Sequence, residues 1–192
     1  MKRIIALALI GLVLMCAGCS KAEPSPSAPP TPTLAPGTPG TLTVSFDFER
    51  QSGVASNQFA VWIEDMDGQM VKTMVATNYT ASGGYAKRKD SIALWVERAK
   101  GTVDFDAVAG ATPQSGPVAY VWDLTYDNGE AAPAGTYKFL VLGTLRWKNY
   151  VLCTGEIAVG GANATAEAPA QFVDETAKEC GMIANVRAEY IA

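Results

Sequence analysis

The chain has 192 residues, 48% hydrophobic and 18% charged, with a formal net charge of −4. It contains no histidine, which excludes His-based triads, His general bases and His metal sites. The acidic balance, deeper once Lys2 and Arg3 are set aside with the leader, argues against nucleic acid as a partner, because that binding draws on clustered Lys and Arg.

Lys2-Arg3 form a positive start, and Ile4 to Met15 is an apolar run too short to span a bilayer. Cys16-Ala17-Gly18-Cys19 then sets two small residues before a cysteine. This resembles a bacterial lipobox, matching at Ala17, Gly18 and Cys19 and departing at Cys16, where leucine is usual. The resemblance implies a lipoprotein signal peptide over residues 1–18, lipid on Cys19, and anchoring to a membrane without a spanning helix. The expected location is extracytoplasmic, in a periplasm or at a cell surface. Residues 19–40 hold the lipidated cysteine and a stretch carrying seven of the eleven prolines. Such a segment stays extended, and as a tether it reaches about 60 Å at ~3.1 Å per residue.

The folded domain is expected over residues 41–192. Thr41 to Phe48 alternates, with Leu42, Val44, Phe46 and Phe48 on one face. Gln58 to Glu64 points Phe59, Val61 and Ile63 one way, and Met70 to Val75 returns after a turn at Asp65-Met66-Asp67-Gly68. That Asp-x-Asp-Gly run lacks the later ligands of a calcium loop, so no metal site is expected there. Asn78 to Gly84 reads as a loop. Asp90 reads as the N-cap of a short helix carrying Ile92, Trp95, Val96 and Ala99, stopped by Gly101.

Pro117 to Asp123 is the next strand, with Val118, Tyr120 and Trp122 on one face. Turn signals at Asp127-Asn128-Gly129 and Pro133-Ala134-Gly135 precede strands over Thr136 to Leu142 and Tyr150 to Val159. Met182 to Ile191 is a candidate last strand, with Met182, Ala184, Val186, Ala188 and Tyr190 in phase. Strands with turn signals and no βαβ rhythm predict a mainly β fold: an antiparallel immunoglobulin-like β-sandwich with one short helix. Cys153 and Cys180 are the cysteines of this domain; outside a reducing cytosol they form either a disulfide or two buried thiols.

Trp122-Asp123, Asp127, Gly129, Pro133, Gly135 and Tyr137 resemble a pattern in the immunoglobulin-like domain of the flagellar hook-cap scaffolding protein, with Asp127 one residue late. The resemblance implies a fold, with Trp and Tyr in the core and Asp and Gly shaping a hairpin. More broadly, residues 41–192 resemble an uncharacterised family of predicted periplasmic proteins.

Asp106-Ala107-Val108-Ala109-Gly110-Ala111-Thr112 resembles the acceptor motif D-x-x-(S/T/A)-G-A-T of proteins that carry covalent FMN. In those proteins a magnesium-dependent flavin transferase moves FMN from FAD to the threonine hydroxyl. The resemblance implies Thr112 as acceptor, Gly110 and Ala111 as small neighbours that admit a bulky flavin, and Asp106 in recognition. Ala109 replaces the more frequent serine, and Pro113-Gln114-Ser115 the usual hydroxyl-rich continuation. As a plain sequence, the same stretch is a loop leading into the Trp122 strand.

The leading expectation is therefore a non-catalytic binding or scaffold module, lipid-anchored outside the cytosol, without cofactor and with an envelope component as partner. An exposed aromatic patch of Tyr85, Trp147 and Tyr150 would serve it. The alternative is an electron-transfer carrier with FMN on Thr112. A hydrolase would need paired carboxylates, for which Asp104, Asp106, Asp123 and Asp127 are the nearest set.

Overall fold

The computed structural model describes residues 38–52, 57–146, 149–173, 178 and 181–192. Apolar alternation builds two sheets. One contains β1 (Thr41–Phe48), β5 (Gly116–Trp122), β8 (Ala164–Glu167) and β10 (Ile183–Ile191). The other contains β2 (Gln58–Glu64), β3 (Met70–Thr77), β4 (Ala109–Gly110), β6 (Gly135–Arg146), β7 (Asn149–Val159) and β9 (Ala170–Phe172). Their orders are β5-β1-β10-β8 and β4-β3-β2-β6-β7-β9. Every paired strand is antiparallel except β4, which lies parallel to β3. The predicted β-sandwich is what forms.

The predicted inward faces supply the core. Leu42, Val44, Phe46 and Phe48 meet Phe59, Val61 and Ile63 of the facing sheet, and all are buried. Burying a side chain of this size contributes about 1.5–3 kcal/mol, so this layer dominates stability. At one end of the core the Trp122 and Tyr137 rings meet edge to face, 5.0 Å between centroids. Trp122 Nε1 donates to the Thr125 carbonyl at 2.7 Å, and the Tyr137 hydroxyl to the Pro133 carbonyl at 2.7 Å. Between them Gly129 adopts φ +83°, a left-handed turn conformation that glycine takes at no steric cost. The spacing of this segment is thus a corner in which each aromatic ring fastens its own turn.

The six-stranded sheet is covered over part of its outer side as well. β2 is buried throughout, because Ala60 and Trp62 face away from the sandwich. They pack under α1 (Asn78–Ala81) and α2 (Ala93–Ala99), between which the chain makes a 3-10 turn at Gly84–Ala86. α2 is the predicted helix, with Trp95 fully buried beneath it. At the domain's start, Thr38 donates to Ala132 O at 2.7 Å, and Pro39 O accepts from the Tyr190 hydroxyl at 2.7 Å.

Four local expectations are corrected. Asp90 is not the N-cap: Ile92 holds that position at φ +43° without any side-chain cap. Its N–H goes instead to Thr144 Oγ1 on β6 at 2.7 Å, so a neighbouring strand does the capping. The stretch read as a loop contains the turn of helix α1, fixed by the buried Thr80. In β10, Asn185 at φ +52° and a register shift against β1 insert a bulge. The bulge inverts the side-chain phase, so Ile183 turns inward and Ala184 outward, while Val186, Ala188 and Tyr190 point inward as predicted. β6 also outruns its predicted end at Leu142, because Thr144 and Leu145 remain buried.

Candidate functional site

The acceptor-like motif lies at the free edge of the six-stranded sheet. Asp104 Oδ1 accepts from the Asp106 N–H at 3.1 Å, and the Asp106 carbonyl from the Ala109 N–H at 3.4 Å, forming a turn. Ala109 and Gly110 then pair with Ala76 and Thr77 as β4. Beyond them, residues 111–115 pass without regular structure from one sheet's edge to β5 in the other. Ser115 Oγ secures the far end by accepting from the Arg50 N–H at 2.9 Å.

Gly110 has a packing reason to be glycine. A Cβ there would fall 2.5 Å from Val75 Cγ2, closer than real Cβ atoms come. Thr112 and Asp106 have no such structural duty. Thr112 is half-buried, Ala111 and Asp106 are exposed, and among the described residues none is hydrogen-bonded to the Thr112 hydroxyl or the Asp106 carboxylate. The structure thus brings Asp106, Gly110, Ala111 and Thr112 onto one accessible edge. That edge suits a group attached through Thr112, since the hydroxyl has no partner among the described residues to lose and Ala111 leaves open surface beside it.

The other acidic residues serve turns or ion pairs. Asp123 Oδ1 accepts from the Thr125 hydroxyl at 2.6 Å and its N–H at 3.2 Å. Those bonds to Thr125 hold its carboxyl below the usual range. Asp127 faces Lys72 at 3.7 Å, and partial burial pushes its carboxyl up. Asp65 Oδ1 accepts from the Asp67 and Gln69 N–H groups at 3.0 and 2.8 Å, so the Asp-x-Asp-Gly run acts as a turn. Among the described residues, no group of His, Cys, Asp and Glu is placed to hold a metal ion.

Cys153 lies on β7 facing the core, and burial pushes its thiol up to about 12. Cys180, the other cysteine of the domain and one alternative for its partner, is outside the described residues, as are Cys19 and Trp147. Of the remaining patch residues, Tyr150 is exposed, whereas Tyr85 packs edge-on against Phe105 at 5.7 Å. A cleft of about 620 Å³ opens beside the β10 bulge, lined by Ser45, Asp47, Glu167, Asn185 and Arg187, with no motif residue in it.

Sequence reasoning missed the outer polar layer. Gln58 Oε1 accepts from the Thr77 and Thr80 hydroxyls at 2.7 and 3.2 Å, and Thr80 and Ser91 share a bond of 2.8 Å. Trp62 Nε1 donates to the buried Glu64 at 2.9 Å. Isolated polar residues inside apolar runs, Thr73, Thr77 and Thr144, were the available signal.

Among the described residues, no helix is long and apolar enough to cross a membrane. No curated protein and no solved structure matches the chain. A family model does match residues 41–174, most of the sandwich, and on that match the chain belongs to the family described as predicted periplasmic protein (DUF2271), whose setting is extracytoplasmic.

Proposed function

We propose that this protein is a lipid-anchored extracytoplasmic carrier of FMN, esterified to Thr112. The sandwich itself is non-catalytic and acts as a scaffold that presents the group. The observation carrying this reading is the Thr112 hydroxyl, unpartnered among the described residues and set just beyond a strand edge where a Cβ at position 110 would crowd Val75. The family's extracytoplasmic setting and the acceptor-like spacing from Asp106 to Thr112 support it.

Attachment is the work of a transferase. The Thr112 oxygen attacks the FMN-side phosphorus of FAD, the pyrophosphate bond breaks, AMP leaves, and the hydroxyl proton passes to a base on the transferase. Within this chain, Thr112 supplies the nucleophilic oxygen, the exposed Ala111 keeps the approach clear, and Gly110 lets the edge strand pack against Val75. Asp106, exposed on the turn before β4, is a contact for the transferase. Once bound, FMN supplies reversible electron transfer. Lipid on Cys19 and the proline-rich tether would let the domain range about 60 Å from a membrane.

The test is the intact mass of residues 38–192, exported together with an active flavin transferase, beside Thr112→Val. The expected result is a mass increase of one FMN less a water, with in-gel fluorescence, both lost in T112V. An unmodified mass, with a control acceptor loaded by the same transferase, overturns the carrier reading and leaves a binding scaffold. Membrane fractionation of full-length C19S, expected to release the protein from membranes, tests the anchor.

A further inference from the structure

The flavin reading leaves open where the ring system would lie, and the topology restricts the answer. Because β3 and β4 are parallel, both chains leave their pairing in the same direction, at the same end of the sheet. The last pair is Thr77 with Gly110, so Tyr79 and Thr112 each stand two residues beyond it. Paired strands lie about 4.8 Å apart and two extended residues span at most about 7 Å, so Tyr79 and Thr112 stand within about 19 Å of one another, beyond the same end of the strand pair. α1, which carries Tyr79, rests against β4.

Tyr79 is also built to stay where it is. It is 42% exposed, so one side of the ring is open to a ligand. Its ring lies on Gly84, where a Cβ would come within 2.6 Å of Tyr79 Cε1. The next residue, Thr80, is fully buried and bonded to Gln58 and Ser91, so the backbone beneath the ring is fixed. Other aromatics are poorly placed. Tyr85 and Phe105 pack on each other at 5.7 Å, and Phe105 precedes β4, at the end away from Thr112. Tyr150 is on β7, separated from β4 by β3, β2 and β6.

We propose that Tyr79 is the platform against which the isoalloxazine ring carried by Thr112 rests. This inference rests on the flavin reading and adds the contact that determines how mobile and how accessible the ring is. Offset stacking on a phenol face suits a flat conjugated ring, and an electron-rich phenol in contact quenches flavin emission.

The experiment uses residues 38–192 loaded by the transferase, with Tyr79→Ala, Tyr79→Phe and Tyr150→Ala, each checked for FMN by intact mass. The readouts are flavin fluorescence lifetime and anisotropy. In Y79A the lifetime should lengthen severalfold, toward that of free FMN, and the anisotropy should fall. Y79F, which keeps the packing on Gly84, should hold its rotational correlation time, read from the anisotropy decay, while losing most of the quenching. Y150A should match the parent in both. Fully loaded Y79A and Y79F proteins with the parent's lifetime and anisotropy overturn the platform and leave the carrier standing. A parent that takes up no FMN overturns both.

Discussion

The six-stranded sheet is closed along its inner face and, over β2, on its outer face as well, but by different means. The inner face meets another sheet, and Phe59, Val61 and Ile63 find apolar partners across the whole layer. The outer face meets helical pieces of four and seven residues, too short to hold their shape alone. Here the buried polar side chains gather: Gln58, Thr77 and Thr80 under α1, Ser91 and Thr144 at the start of α2, Thr73 bonded to Trp95 Nε1 at 3.2 Å. A sheet closed by a sheet needs only alternation. A sheet closed by short turns needs each turn bonded individually. The outer layer is therefore the part able to loosen separately, and it carries Tyr79 beside the acceptor edge.

Removing inner volume should have the largest effect. Phe59→Ala leaves a cavity among Phe46, Phe48 and Tyr120 and should cost about 3–5 kcal/mol, read as a lower denaturant midpoint with unfolding still cooperative. Thr144→Val removes the acceptor of the buried Ile92 N–H and should cost about 1–3 kcal/mol. Its distinguishing sign is local: amide exchange should accelerate over residues 78–100 while β2 and β6 stay protected. Equal acceleration in β2 would show that the two faces unfold as one unit.

Alkaline pH should attack the inner face selectively. Burial raises the Cys153 thiol from 9.0 to about 12, so the folded state favours its neutral form. That contribution is complete below pH 9 and is lost as pH rises toward about 12, where the unfolded chain alone has shed the proton. In reductant, stability should be flat up to about pH 8 and then decline, and Cys153→Ala should flatten the decline.

The inner face was legible in the sequence because period-two alternation states it directly: Leu42 to Phe48 and Phe59 to Ile63 were placed correctly by pattern alone. The outer layer was not, because its logic is tertiary. Nothing near Asp90 reveals that Thr144, far along the chain, takes the Ile92 N–H. The β10 bulge escaped for a related reason. One residue at positive φ, Asn185, inverts the phase while the residues around it still look alternating. The acceptor motif was legible as a string of residues. Its place at a sheet edge was not, since a two-residue strand leaves no periodicity to read.

The smallest expected effect tests whether the inner face depends on polar bonds at all. Tyr137→Phe keeps the ring against Trp122 and removes only the hydroxyl's bond to Pro133 O, 2.7 Å long. Pro133 is exposed, so its carbonyl regains water, and the cost should stay near about 0.5–1.5 kcal/mol in a denaturant titration at neutral pH. The same substitution removes a second alkaline group, since burial, then Tyr126 and Asp65, raise the Tyr137 hydroxyl from 10.0 to about 12. Its neutral form is favoured in the fold, so its stabilisation also disappears as pH rises from about 10 toward about 12. Y137F should thus be slightly weaker than the parent at pH 7 and converge with it at higher pH. A loss as large as that of F59A would mean that this corner bond, rather than apolar packing, holds the two sheets together at that end.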